Sequence, residues 1–297
     1  MNAQAIGFGT AERRNAESLI AMALAEDLGE SGDVTANLTI PADARGRAIF
    51  VVRKPGSIAG LPVVGLLADA MGLGAGWSPR VEDGSKVEAG KVLAVIEGPM
   101  RAILGFERTA LNFLQRLSGV ATLAARFVAQ VAGTRAEILD TRKTTPGWRA
   151  LEKYAVRCGG GRNHRIGLYD AVLIKDNHLA WLNQVGGGVG AVATAVTRAR
   201  AGASPGLVVE VEVDTFDQLD EALGVRPDII LVDNFGPDDL AEAVRRRDRS
   251  APGVLLEVSG GVSLESARGL ASTGVERISV GALTHSAPAL DIGLDYD

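Results

Sequence analysis

From about residue 134 onward the chain repeats one pattern: a short apolar run ending in polar or small residues, a stretch with helical spacing, then another run. The runs occupy 136–140, 171–175, 207–212, 228–233, 254–259 and 277–281, each too short for a helix. Helical segments follow at 215–223, 237–247 and 263–272. Parallel strands buried on both faces read as such runs, and joining them requires right-handed crossovers, usually helical. The repeat therefore predicts an α/β fold whose C-terminal part is an open, incomplete α/β barrel; a doubly wound sheet is the competing arrangement. Either one binds ligands at the carboxyl ends of its strands. Those ends supply Asp140 with Arg142 and Lys143, then Lys175, Glu212, Asp233, Ser259 and Gly281.

Upstream the pattern differs. Residues 11–28 have the spacing of an amphipathic helix, 46–98 break into short β-branched runs between Gly, Pro and Asp-Gly turns, and 99–132 return to helical spacing. A chain of 297 residues exceeds the usual single core, so a domain boundary is expected inside 99–132. Residues 83–98 resemble the carrier domains of biotin and lipoyl proteins, but no lysine stands where the prosthetic group would be attached.

Composition narrows the function. No apolar run reaches the roughly 18 residues of a membrane helix, and residues 1–14 lack a signal-peptide pattern, so a cytoplasmic protein without membrane contact is expected. One cysteine, Cys158, excludes an intrachain disulfide and a multi-cysteine zinc site, and nothing around it builds a thiol nucleophile. A net charge of −5 argues against nucleic-acid binding.

Against that acidic background, residues 142–175 carry eight Lys or Arg and only two acids, Glu152 and Asp170. Concentrated positive charge in a cleft attracts a polyanionic small ligand. Asp140 to Gly147 joins two cations to three threonine hydroxyls, suited to carboxylate or phosphate oxygens, although a solvated loop has the same composition. Gly159 to Arg165 combines three glycines, which permit close backbone approach, with Asn163, His164 and Arg165 as donors; a hinge with one structural histidine is the plainer reading. The histidines, His164, His178 and His285, are too widely spaced for a histidine-based metal site. Glu210 and Glu212 alternate on a strand and share a face, so with Asp233 they can hold magnesium or sugar hydroxyls, or simply form ion pairs with Lys175 or Arg142. Ser259-Gly-Gly261 and Gly281 offer backbone N–H groups for a phosphate, or are plain turns.

Taken together, these segments resemble the quinolinate phosphoribosyltransferase family. The resemblance rests on Glu26 to Gly29, Gly32 to Thr35, Glu107 to Asn112, Leu117 to Thr122, Asp140 to Gly147, Lys153 to Val156, Gly159 to His178, Glu210 to Asp214, Val232 to Phe235, Ser259 to Gly261 and Val280 to His285. It implies a smaller N-terminal α/β sandwich domain over 1–115, rejoined by the tail 287–297, and an α/β barrel over 116–286. It also implies magnesium-dependent, decarboxylating transfer of ribose 5-phosphate from phosphoribosyl pyrophosphate to quinolinate, in a homodimer or higher assembly. Arg108 then matches an arginine supplied across the interface, and Arg142, His164 and Arg165 match a clamp for the quinolinate carboxylates. Lys143 and Lys175 match lysines facing donor and substrate. Glu212 and Asp233 match carboxylates near the ribose hydroxyls and magnesium, while Ser259, Gly260 and Gly281 match the 5-phosphate cradle. Two features depart from the family: Trp148 stands where a smaller aliphatic residue is usual, and a longer glycine-rich loop is expected at 182–192, and neither is expected to touch a named site residue. Competing readings are a phosphoribosyltransferase acting on nicotinate, a molybdenum-associated paralogue, and a non-catalytic anion carrier.

Overall fold

The computed structural model describes residues 6–186 and 190–296. Its contacts divide the chain into two compact units, 1–126 with 143–161 and 282–297, and 127–142 with 162–281. In chain order come α1 (Thr10–Leu28), α2 (Val34–Thr39), β1 (Arg45–Val52), β2 (Gly56–Ser57), α3 (Leu61–Ala70), β3 (Ser78–Pro79), β4 (Lys86–Val87), β5 (Val92–Pro99) and the long α4 (Met100–Gln130). β6 (Glu137–Leu139) opens the second unit's sheet, and α5 (Arg149–Cys158) belongs to the first unit. Then follow β7 (Val172–Ile174), α6 (Asp176–Gly186), α7 (Ala191–Gly202), β8 (Val209–Val213), α8 (Phe216–Val225), β9 (Ile229–Val232), α9 (Pro237–Ser250), β10 (Leu255–Val258), α10 (Leu264–Ser272) and β11 (Arg277–Ser279). The chain closes on α11 (Ala282–His285) and β12 (Ile292–Tyr296).

The first unit holds a sheet of order β12-β1-β5-β3 with antiparallel pairing. Its core forms around Phe50 on β1, which meets Trp77 and Phe106 of α4 edge-on at 5.6 and 6.1 Å. Asp83 caps α3 by accepting from the N–H groups of Gly60 (2.7 Å) and Leu61 (3.1 Å). Gly60 has φ 111°, a conformation that favours glycine. The expected boundary at 115/116 falls inside α4, whereas the contacts divide the chain elsewhere, for a local reason. Glu152 on α5 is fully buried and accepts from Arg116 of α4 (2.7 Å) and from the N–H and hydroxyl of Thr145 (3.0 and 2.9 Å). A buried carboxylate needs such partners, and here they fasten 143–161 to α4.

The second unit holds six parallel strands in the order β6-β11-β10-β9-β8-β7. The ring is open between β6 and β7; outside β6 the described residues add a single parallel bridge, Leu139 to Arg162. Val211, Ile230, Val232, Leu256 and Ile278 fill its core. Thr215 caps α8, and Ser263 with Ser266 forms a capping box on α10, each satisfying N–H groups a helix leaves open. At the amino ends of the strands lies a closed ion-pair net. Arg247, 1% exposed, donates to both Glu276 oxygens (2.9 Å each), Asp248 (2.7 Å) and the Val254 carbonyl (2.7 Å).

The glycine-rich loop expected at 182–192 is mostly helical: α6 continues through Gly186 and α7 starts at Ala191. Gly187, Gly188 and Val189 of that stretch lie outside the described residues. No described helix is long and apolar enough to cross a membrane.

Candidate active site

Strand register builds the mouth of the second unit. Ile174 pairs with Val211, Val213 with Val232, Val232 with Val258, Val258 with Ile278, and Ser279 with Leu139. Lys175, Asp233 and Ser259 directly past these pairs, and Gly281 and Arg142 slightly farther on, therefore leave the sheet at its carboxyl end. Lys175 is half-exposed and its ammonium lies 2.6 Å from Glu212. That is the ion pair foreseen as the plainer reading of Glu212, placed at the mouth. Asp233 accepts from Asn234 at 3.0 Å, and Asn234 holds φ 60°. Left-handed backbone in a residue other than glycine marks local strain of the kind functional sites retain. Gly260, at φ 93°, comes so close that a Cβ there would stand 3.0 Å from Asp233 Oδ1, so the Ser259-Gly-Gly261 turn and Asp233 form one surface. Arg165 donates to the Ala171 carbonyl at 3.2 Å, and burial together with the like charge of Arg142 lowers its pKa. Two arginines held near each other leave a demand for anionic charge.

Deeper in the barrel lies a cluster the sequence did not reveal. His164 Nε2 stands 3.1 Å from Glu210 Oε2 and 3.3 Å from Glu257 Oε1. Glu257, fully buried on β10, also accepts from Arg277 (2.6 Å) and Ser279 (2.5 Å). Burial works against charge on both His164 and Glu257. Hydrogen bonds to Glu210 and then Glu257 outweigh it on the histidine, raising His164 to about 9, and the hydrogen bond from His164, with the charges of His164 and Arg277, holds Glu257 at about 2. Burial raises the pKa of Glu210, whose Oε1 is buried with no hydrogen-bond partner in the structure. Asp140, also fully buried, accepts from the His164 N–H (2.9 Å) and Asn163 Nδ2 (2.6 Å), fixing the backbone that carries the ring. A glutamate in the middle of the apolar run 254–259 was the available signal for Glu257, matching Glu210 in its own run.

Of the sequence candidates, Arg142, His164, Arg165, Lys175, Glu212, Asp233, Ser259, Gly260 and Gly281 belong to this unit; Arg108 and Lys143 belong to the first. There the Lys143 carbonyl accepts from Thr284 (2.7 Å). Arg108 is exposed on α4 and lines a cavity of about 250 Å³ with Glu26, Asp27, Phe113 and Trp148. Trp148 stacks on Phe113 at 5.0 Å, so this departure from the family lies beside a candidate residue.

The concentration of eight cations is a property of the sequence more than of space. Helix α5 carries Arg149, Lys153 and Arg157 in the first unit, where Arg157 pairs with Glu12 at 2.8 Å and Lys153 is fully buried. Arg162 pairs with Glu137 at 2.7 Å. Cys158 is buried and its thiol is pushed up to about 12 by that burial, in keeping with an inert cysteine.

Comparison with known proteins adds a second line of support. Residues 33–118 match the family model "Quinolinate phosphoribosyl transferase, N-terminal domain", and 120–295 match the corresponding C-terminal domain model. A nicotinate-nucleotide pyrophosphorylase [carboxylating] of Mycobacterium leprae is 49% identical over 282 residues, covering 94% of this chain and 96% of its own. A probable nicotinate-nucleotide pyrophosphorylase [carboxylating] of Bacillus subtilis is 40% identical over 91% of this chain and 89% of its own. Among solved structures, the nicotinate-nucleotide pyrophosphorylase of Francisella tularensis superposes with a TM-score of 0.87 at 37% identity, covering 100% of both chains.

Proposed function

The chain belongs to the quinolinate phosphoribosyltransferase family, and from that premise we propose how its own residues carry out the family's reaction. The enzyme is a decarboxylating pentosyltransferase: quinolinate and phosphoribosyl pyrophosphate give nicotinate mononucleotide, pyrophosphate and carbon dioxide, a step of NAD biosynthesis. One observation supports the site assignment above others: the Lys175–Glu212 pair and the Asp233–Gly260 surface stand at the carboxyl ends of neighbouring strands, in the unit that also holds Arg142 and Arg165.

Quinolinate brings two adjacent carboxylates, and Arg142 and Arg165, with His164 beside them, bind the anion their mutual repulsion calls for. Lys175 is the lysine of the second unit that faces the reacting partners, and the family match alone gives Lys143 a part beside it. Departure of pyrophosphate leaves an oxocarbenium-like ribosyl centre, which Glu212 and Asp233 stabilise electrostatically. Ser259, Gly260 and Gly281 present backbone N–H groups to the 5-phosphate. After transfer, loss of carbon dioxide leaves its electron pair on the ring carbon; the adjacent cationic ring nitrogen stabilises it there electrostatically until a proton from water replaces the carboxylate.

Glu212 and Asp233 are oxygen donors of the type magnesium takes, but Lys175 already occupies Glu212, and neither belongs to a cluster of three ligating side chains among the described residues. Both therefore suit an ion held through water and the donor's own phosphates, where it would neutralise pyrophosphate. Arg108, exposed beside an aromatic-walled cavity, is suited to reach the mouth of a second copy in a homodimer. The cytoplasm is the compartment that fits a chain with a single, buried cysteine.

Release of carbon dioxide from carboxyl-labelled quinolinate, strictly dependent on phosphoribosyl pyrophosphate and magnesium, is the expected result. Turnover of nicotinate instead would move the assignment to the monoacid reading. Mixing inactive Arg108→Ala and Lys175→Ala proteins should restore activity if Arg108 acts across an interface.

A further inference from the structure

The cluster beneath the clamp contains one histidine and two glutamates whose ligating atoms lie within 4.8 Å of one another, spacing that also suits a metal ion. Tautomer chemistry decides between the two uses. The Arg165 N–H lies 2.7 Å from His164 Nδ1, which accepts only in the neutral ring, while Nε2, facing the two glutamates, carries hydrogen in the neutral and in the charged form alike. A nitrogen bearing hydrogen has no lone pair for a metal. Glu257 is moreover already engaged by Arg277 and Ser279.

We propose that Glu257, braced by Arg277 and Ser279, is a positioning residue that together with the nearer Glu210 grips His164 through Nε2 and so fixes the ring and the Arg165 backbone at the quinolinate clamp. This rests on the clamp reading given above. The grip has two sides. Asp140, just past β6, holds the backbone N–H of His164, while β8 and β10 hold the ring tip through Glu210 and Glu257. The ring's other nitrogen faces Arg165, whose guanidinium shares its surroundings with Arg142. Turning the ring by loss of the Glu257 charge therefore disturbs the part of the pocket that meets a substrate carboxylate, and leaves the Asp233–Gly260 surface on the donor side untouched. Glu257 stands opposite Arg277 in the ladder, so its bracing comes from strand register and does not depend on a mobile loop.

The test uses the intact protein and Glu257→Gln, which keeps size and removes charge, with Glu210→Gln alongside. Wild-type activity on quinolinate tests the clamp reading itself. With that activity present, Glu257→Gln should raise KM for quinolinate at least tenfold, while kcat and KM for phosphoribosyl pyrophosphate stay within about twofold. With only three histidines in the chain, nitrogen-15 spectra of the imidazoles give a second readout, the His164 signals being assigned by their loss in His164→Asn. In wild type these signals should report hydrogen on Nε2 at high pH and a titration midpoint near 9, and Glu257→Gln should lower that midpoint. The proposal fails if Glu257→Gln leaves both KM for quinolinate and the His164 midpoint unchanged. It fails equally if added zinc or manganese shifts the His164 signals at stoichiometric concentration, which would make the cluster a metal site.

Discussion

The two ends of the barrel handle buried charge in opposite ways. At the amino ends Arg247 meets Glu276 with both forks, Asp248 and Val254 complete its donors, and the Leu256 N–H closes on Glu276 at 3.0 Å. Toward the carboxyl ends the like charge of Arg142 lowers the pKa of Arg165, and beneath them Glu210 keeps a buried oxygen without a hydrogen-bond partner. Both ends contain arginines and carboxylates, so composition alone cannot separate them. Saturation does: a net whose members satisfy one another holds the fold, and one that leaves charge unanswered is prepared for a ligand.

The largest effect should follow from Lys175→Ala. It removes a cation at the open end and should cut turnover by about 10²–10³-fold with little change in the thermal midpoint. Turnover near wild type would erase the contrast between the ends. Arg247→Ala, at the closed end, should do the reverse. Breaking a buried pair from one side costs about 3–5 kcal/mol, read by urea unfolding, while specific activity of the folded fraction stays near wild type. A smaller effect sharpens the contrast through pH. His164 is raised from 6.5 to about 9 on folding, so its charged form contributes stability that is fully present below about 6.5 and is lost as pH rises through 9. Wild type should therefore lose on the order of 2 kcal/mol relative to His164→Asn between those limits. Parallel stability curves across that window would place the histidine's charge outside the folding equilibrium.

Much of the barrel was legible because buried parallel strands have a simple signature. All six apolar runs became strands, most of them shortened at the ends and β8 shifted on by one residue to Val213, and helices α8, α9 and α10 stand where spacing placed them. Lys175, Asp233 and Ser259 were legible as strand ends for the same reason, whereas Glu212, expected at an end, stands one residue inside β8. The cation-rich stretch was misleading because charge density along a sequence ignores helical geometry: α5 turns Lys153 into the core and Arg157 toward Glu12. Two-residue strands such as β2 and β4 carry too few side chains to show a period. The partners of His164 could not be read at all, since pairing between residues 164, 210 and 257 depends on the order of strands across the sheet and not on any spacing along the chain.

The path of the chain between its units has a consequence for engineering and for descent. Arg142 and Lys143 are joined by one peptide bond yet belong to different units, and the first unit recovers 143–161 and 282–297 only after the chain has left it. Neither unit is a contiguous cassette, so no single cut yields two separately heritable pieces. Recombination at one crossover would exchange fragments rather than modules, and the halves are expected to have been inherited together.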